Sequence, residues 1–161
     1  DCVRVALSLG LKSIDWVLAG INEGGNLGAD LLLSGTASAA REAAIRGHKG
    51  IAISQYKARR GDVNWSRAQA WTSSVLPQLF EREPPLGGFW NVNLPDPLEP
   101  VEAPPLIECP VDSLPLPVLA EFQGGKWRYI TRYQERPRTD GCDVALCFGG
   151  AITLSAVFCR W

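Results

Sequence analysis

The chain has no methionine, a single histidine and no C-x-x-C pair among its five cysteines. An odd number of thiols without metal-ligand spacing argues against both a disulfide framework and a zinc site. Cys2, Cys109, Cys142, Cys147 and Cys159 read instead as free thiols buried as small hydrophobes. A sequence that opens on Asp1 and contains no methionine reads as the interior of a longer gene product, not its start. No apolar run approaches the roughly 20 residues of a membrane helix, and no basic-then-apolar start resembles a signal peptide. The expectation is a cytoplasmic protein without a membrane partner. Lys and Arg number 16 against 17 Asp and Glu, so no basic stripe exists for a nucleic-acid backbone, and that class of partner is set aside. Two phosphate-binding strings are also missing. G-x-x-x-x-G-K-[ST] does not occur, and Gly24, Gly25 and Gly28 have the wrong spacing for the dinucleotide pattern G-x-G-x-x-G.

What is present suits one globular domain of 161 residues, 46 % hydrophobic and 20 % charged. Asp1 is an N-cap type ahead of Val3, Val5, Ala6, Leu7 and Leu9, which predicts a short helix before Gly10. "IDWVLAG" predicts a strand buried on both faces, ending at Gly20. Residues 36 to 46, rich in Ala with Arg and Glu, predict a helix closed by Gly47, and "GIAIS" from 50 to 54 predicts a second buried strand. Strand, loop, helix and strand make a right-handed βαβ unit with parallel strands. Val63, Ala68, Trp71, Val75 and Leu79 recur at helical spacing, with Pro77 expected to bend or end that helix. "GGFWNVNLPDP" predicts a third short strand at which the sheet or core ends.

From 97 to 117 seven prolines predict an extended arm. Beyond it, "PVLAEF" and "WRYITRY" about a Gly-Gly turn predict a hairpin, and "CDVALCF" and "AITLSAV" about Gly149 and Gly150 predict a second. Trp127, Tyr129 and Tyr133 on a projecting hairpin imply an oligomer contact, unless those rings pack on their own domain. The organisation expected is residues 1–96 as part of a three-layer, Rossmann-like α/β core with a mostly parallel sheet, and 97–161 as arm and β-hairpin extension.

Residues 20 to 36, "GINEGGNLGADLLLSGT", concentrate glycine at 20, 24, 25, 28 and 35. Glycine loses the most conformational freedom on folding, so such a cluster needs a geometric reason. The stretch follows a parallel strand, and ligands of open α/β sheets gather at strand carboxyl ends. Ser34 or Thr36 can cap the following helix while first-turn N–H groups and the helix dipole face an anion, with Gly35 letting it approach. Read alone, either is simply an N-cap. Asn22 offers a hard amide oxygen suited to Mg²⁺ or Mn²⁺, or else forms a turn. Asn26 lies in the same connection.

These segments resemble the SurE family of metal-dependent nucleotidases. "DCVRVALSLG", "DWVLAGINEGGNLGADLLLSGTASAAREAAIRGHKGIAIS", "WNVNLPDP" and "TDGCDVALCFGGAITLSAV" fall in family order. The G-I-N, G-x-N-x-G and S-G-T cluster carries the most specific part of the likeness. The resemblance implies a phosphomonoesterase acting on nucleoside monophosphates and on short polyphosphate, with a divalent metal, Mg or Mn. It makes Asn22 a metal ligand, and Ser34, Gly35, Thr36 and Asn26 the phosphate and substrate loop. It also implies a homodimer or homotetramer formed by exchange of the C-terminal hairpins. The family's aspartate pair, on a strand ahead of the block matching Asp1, is absent from this sequence. No catalytic residue is therefore assigned here, and this chain alone is expected to be a poor catalyst. Alternatives are a non-catalytic binding or assembly domain on the same scaffold, and a Rossmann-like domain that binds nucleotide without hydrolysis. Asp30 is expected to cap or solvate the loop, His48 to be a solvated loop histidine, "YKARRGD" from 56 to 62 a basic connector, and "RPR" at 136 to 138 a surface turn.

Overall fold

The computed structural model describes residues 1–10, 13–58, 61–97, 99 and 101–159. A short helix, α1 (Cys2–Ser8), precedes the strand β1 (Trp16–Glu23). The loop after β1 contains a 3₁₀ turn over Gly28–Leu33 and feeds α2 (Gly35–Ile45). Then come β2 (Lys49–Gln55), α3 (Trp65–Phe80) and β3 (Gly88–Leu94). The remaining elements are β4 (Leu106–Glu108), β5 (Ala120–Gln123), β6 (Lys126–Tyr129), α4 (Asp143–Phe148) and β7 (Ile152–Phe158).

Five strands form one sheet in the order β1-β2-β3-β7-β4. β1, β2 and β3 run parallel, β7 is antiparallel to β3, and β4 is parallel to β7. The period-two alternation of a strand divides the side chains between two helical layers. Ile51, Ile53, Trp90, Val92, Ile152 and Leu154 pack under Ala68, Trp71, Val75 and Leu79 of α3. On the other face Ala52 and Phe89 meet Ala37 and Ala40 of α2 and Leu31 of the preceding turn. Alanine on α2 lets helix and sheet approach closely: a Cβ on Gly50 would stand 2.6 Å from the Ala40 carbonyl oxygen. The architecture is the expected three-layer α/β core, and the βαβ unit is present.

Several expectations change. β1 lies at a sheet edge and pairs only with β2 among the described residues, so it is half-buried, with Leu18 47 % exposed. β3 does not end the sheet. It is central and buried along its whole length, because β7 pairs with it from Gly88 to Asn93. The second hairpin is replaced by α4 and β7. Val144 and Cys147 sit one helical turn apart on a buried face, and Gly150 at φ +98° turns the chain out of the helix, not between strands. The core sheet therefore takes in β4 and β7, well past residue 96. Pro77 lies inside α3, which continues to Phe80. α1 buries none of its residues and leaves Val5 and Leu9 exposed.

The first hairpin forms as expected. β5 and β6 pair antiparallel around Gly124 and Gly125, both with positive φ, as a separate two-stranded sheet. Phe122, Trp127 and Tyr129 on it are exposed. Tyr133 is not, since its ring packs near Tyr56 and Phe148 of the core. Of the five free thiols only Cys109 and Cys147 are buried; Cys2 is exposed and Cys142 and Cys159 are partly covered. Burial pushes Cys109 up to about 11 and Cys147 well above the ordinary thiol range, which leaves both protonated and inert.

Candidate phosphate site at the strand carboxyl ends

Asn22 is the penultimate residue of β1, just past a register shift between Ala19 and Asn22 in the pairing with β2. Gly20 permits that irregularity: its φ is +130°, and a Cβ there would stand 2.2 Å from the Ile53 carbonyl oxygen. The Asn22 Nδ2 donates to the Gly24 carbonyl at 2.8 Å, so the side chain first closes a turn. Its Oδ1 accepts no hydrogen bond among the described residues. Gly24 N–H donates to Gln55 O at 2.9 Å, which lays the loop over the end of β2.

Asn26 is buried at the centre of the loop. Its N–H donates to Asn93 Oδ1 at 2.8 Å, its carbonyl accepts from Asn91 Nδ2 at 3.0 Å and Asn93 Nδ2 at 3.1 Å, and its Nδ2 donates to Ser54 Oγ. The residue is thus an anchor of the loop on the sheet, its donor turned inward. Gly28 comes next, at φ +57°, with Arg136 Nη2 3.0 Å and Val144 Cγ2 3.1 Å from where a Cβ would lie. Its N–H donates to Asp143 Oδ2 at 2.9 Å.

Ser34 caps α2: its backbone is extended and its Oγ accepts from Ala37 N–H at 3.0 Å. Ser38 N–H reaches the Ser34 carbonyl. The N–H groups of Gly35 and Thr36 meet no acceptor among the described residues, which leaves two first-turn donors for a ligand or water. Nothing stands within 4 Å of a Cβ position on Gly35, so the approach is open. Because α2 follows a strand it runs antiparallel to, its N-terminus lies at the carboxyl edge of the parallel strands, the edge that carries Asn22.

A cleft of about 320 Å³ opens at the same edge, where β2 and β3 end and α3 begins. Gln55, Tyr56, Lys57, Asn64, Arg67 and Asp96 line it. Asn64 caps α3 by accepting from Arg67 N–H at 3.0 Å, Arg67 pairs with Asp96 at 2.8 Å, and Lys57 pairs with Glu23. Arg59 and Arg60 of the basic connector lie outside the described residues. Sequence reading did not find this cleft: its donors come from the ends of two strands and from a helix cap, with no shared local pattern.

The loop is also held from the far end of the chain. Asp143 takes N–H groups from Gly28, Asp112 and Val144. Burial raises the Asp143 carboxyl above its ordinary range despite those donors. Burial also works against Asp112, but Thr139, Leu114 and Arg136 outweigh it and hold that carboxyl below its usual range. Arg136 is no surface turn: its side chain is wholly buried and pairs with Asp30 at 2.7 Å. Asp30 is therefore an ion-pair partner and not merely a solvated residue. His48 is half-buried at the amino end of β2, away from the site, with Nδ1 3.4 Å from the Ile14 carbonyl.

No group of three His, Cys, Asp or Glu side chains suited to a metal ion occurs among the described residues. Mg²⁺ and Mn²⁺ recruit carboxylates, so the single amide oxygen of Asn22 does not complete a site for either. No helix among the described residues is long and apolar enough to cross a membrane.

A mostly parallel sheet between helical layers, with a glycine-rich strand-to-helix loop at the strand carboxyl ends, defines a Rossmann-like α/β protein. Residues 1–108 match the family described as Survival protein SurE, and the chain belongs to that family. It is 43 % identical over 156 residues to a Nostoc sp. protein provisionally named a 5′-nucleotidase, covering 96 % of this chain and 69 % of that one. It is 43 % identical over 154 residues to the 5′-nucleotidase SurE of Carboxydothermus hydrogenoformans, covering 94 % of this chain but 53 % of that protein. The crystal structure of the SurE protein from Aquifex aeolicus superposes with a TM-score of 0.77 at 26 % identity, covering 96 % of this chain and 64 % of the other. The chain thus spans between about half and two thirds of the length of these relatives.

Proposed function

We propose that this chain carries the phosphate-holding part of a phosphomonoesterase acting on nucleoside monophosphates. The observation that carries the reading is the pair of unpartnered N–H donors at Gly35 and Thr36, on a helix capped by Ser34, at the carboxyl edge of the parallel strands. Such donors, with the helix dipole behind them, stabilise negative charge as it grows on a transferring phosphoryl group. Ser34, Gly35 and Thr36 hold the phosphate and Asn26 fixes the loop. Short polyphosphate, which presents the same terminal group, is a second substrate on this reading. Two relatives bearing the name 5′-nucleotidase support the substrate class.

In this proposal Asn22 supplies one donor to a divalent cation, Mg or Mn, and carboxylates from beyond the described residues supply the rest. The chemistry such a cation would supply is Lewis-acid stabilisation of a phosphoryl oxygen and a more acidic water. The residues described here do not hold it unaided. In this proposal the β5–β6 hairpin is the contact through which a homodimer or homotetramer assembles, a reading supported by its exposed Phe122, Trp127 and Tyr129.

The test is release of inorganic phosphate from AMP and GMP with Mn²⁺ or Mg²⁺, on protein expressed from its complete reading frame. Turnover supports the enzyme. A second reading, a non-catalytic binding or assembly domain, is favoured by the absence of a three-ligand cluster among the described residues. Phosphate binding without turnover under any cation selects it.

A further inference from the structure

We propose that Asn93 is a positioning residue for the phosphate loop, acting through the peptide of Asn26; the inference rests on the phosphate-site reading above. β3 alternates Trp90, Val92 and Leu94 toward α3 with Phe89, Asn91 and Asn93 toward α2. Two asparagines in a strand flanked on both sides by partners are costly, because a buried amide atom loses water unless a partner replaces it, and Asn91 Oδ1 meets none among the described residues. Asn91 and Asn93 are both 0 % exposed, and Ser155 and Thr153 stand opposite them on β7. No external ligand reaches them. The other three amide atoms, Asn91 Nδ2 and both of Asn93, all turn to one residue of the loop.

Asn93 brackets that residue with both ends of its amide: Oδ1 accepts the Asn26 N–H at 2.8 Å and Nδ2 donates to the Asn26 carbonyl at 3.1 Å. Asn91 Nδ2 adds a second donor to the same carbonyl at 3.0 Å, and Ser54 Oγ receives the Asn26 side chain. Four hydrogen bonds from β2 and β3 therefore fix one residue midway between Asn22 and the 3₁₀ turn that leads to Ser34. Leu27 packs the loop against Tyr56, Val144 and Cys147, and Asp143 takes the Gly28 N–H. The Asn26 anchor adds the hydrogen bonds that fix the loop on β2 and β3, and with them the spacing between Asn22 and the Gly35 and Thr36 donors. A reacting group misplaced by about 1 Å costs on the order of a hundredfold in rate. Asn93 touches no substrate on this account; it sets where the groups that do touch it stand.

The test compares Asn93→Leu with Leu79→Ala, a core variant on the α3 side that loses stability without touching the loop. Three readouts are taken on protein expressed from its complete reading frame: Tm, the inhibition constant of inorganic phosphate, and amide exchange across residues 24 to 28. Asn93→Leu is expected to weaken phosphate about tenfold and to accelerate exchange at those amides. Leu79→Ala is expected to lower Tm comparably with both other readouts unchanged. Asn91→Leu, which removes one bond of the four, serves if Asn93→Leu does not fold; its effect on both readouts is smaller but in the same direction. Wild-type phosphate affinity and loop protection in the asparagine variants overturn the proposal. If the unsubstituted protein neither binds phosphate nor hydrolyses nucleotide, the phosphate-site reading fails, and loop exchange still decides whether Asn93 holds the loop.

Discussion

Asp143 Oδ2 accepts the backbone N–H of Gly28 at 2.9 Å across 115 residues of sequence. The same carboxylate takes the N–H groups of Asp112 and Val144, so the start of α4, the end of the proline-rich segment and the glycine loop share one acceptor. Asp143→Ala leaves three buried donors without a partner. The expected loss of stability is about 3 kcal/mol, read from the denaturant midpoint. A loss under about 0.5 kcal/mol contradicts that role.

Glu42 ties α1 to α2 by accepting from Arg4, and it also accepts from Arg46 along its own helix. Hydrogen bonds from these two guanidinium groups hold its carboxyl down to about 2, against an ordinary 4.5. A folded-state pKa below the unfolded value means that the contribution is present above 4.5 and is lost as pH falls through the folded value. Tm is expected to fall more steeply with acid between 4.5 and about 2 in the unsubstituted protein than in Glu42→Gln. Parallel Tm profiles contradict the prediction.

Ser34→Ala removes the acceptor for Ala37 N–H and is expected to cost about 1 kcal/mol. Ser34→Asp restores the cap and hence the stability, but it places a negative charge beside the donors of Gly35 and Thr36. Recovered Tm with weakened phosphate binding is the expected signature. Unchanged phosphate affinity in Ser34→Asp places the anion elsewhere.

Trp127→Ser lies on an exposed hairpin and is expected to change the unfolding free energy of a protomer by no more than about 0.5 kcal/mol. Sedimentation then reports whether the hairpin joins subunits: the expected result is a shift toward the monomer. An unchanged assembly removes the hairpin from the interface.

How much of this was legible in the sequence depended on whether the signal was local. The alanine-rich helix and the strand after it follow from short-range spacing and form where the pattern puts them, with Ser34 of the two possible residues as the cap, whereas β1 runs past Gly20 to Glu23 and is only half-buried. α4 and β7 differ from the expected hairpin because Gly149 and Gly150 between two apolar runs serve equally as a hairpin turn and a helix ending. Only the pairing of β7 with β3 decides between these, and that contact is remote in sequence. Asn91 and Asn93 look like the polar face of a half-buried strand, yet they are buried because the loop at Asn26 comes back to them. Arg136 and Asp143 carry no local mark at all. Their partners, Asp30 and Gly28, lie at the other end of the chain.

Amide chemical shifts decide whether the start of α2 holds a phosphate. Inorganic phosphate is titrated into isotopically labelled protein while the N–H signals of Gly35 and Thr36 are followed. The account expects these two signals to move saturably and ahead of those on the outer face of α3. Signals at Gly35 and Thr36 that stay fixed while phosphate saturates another site would contradict it.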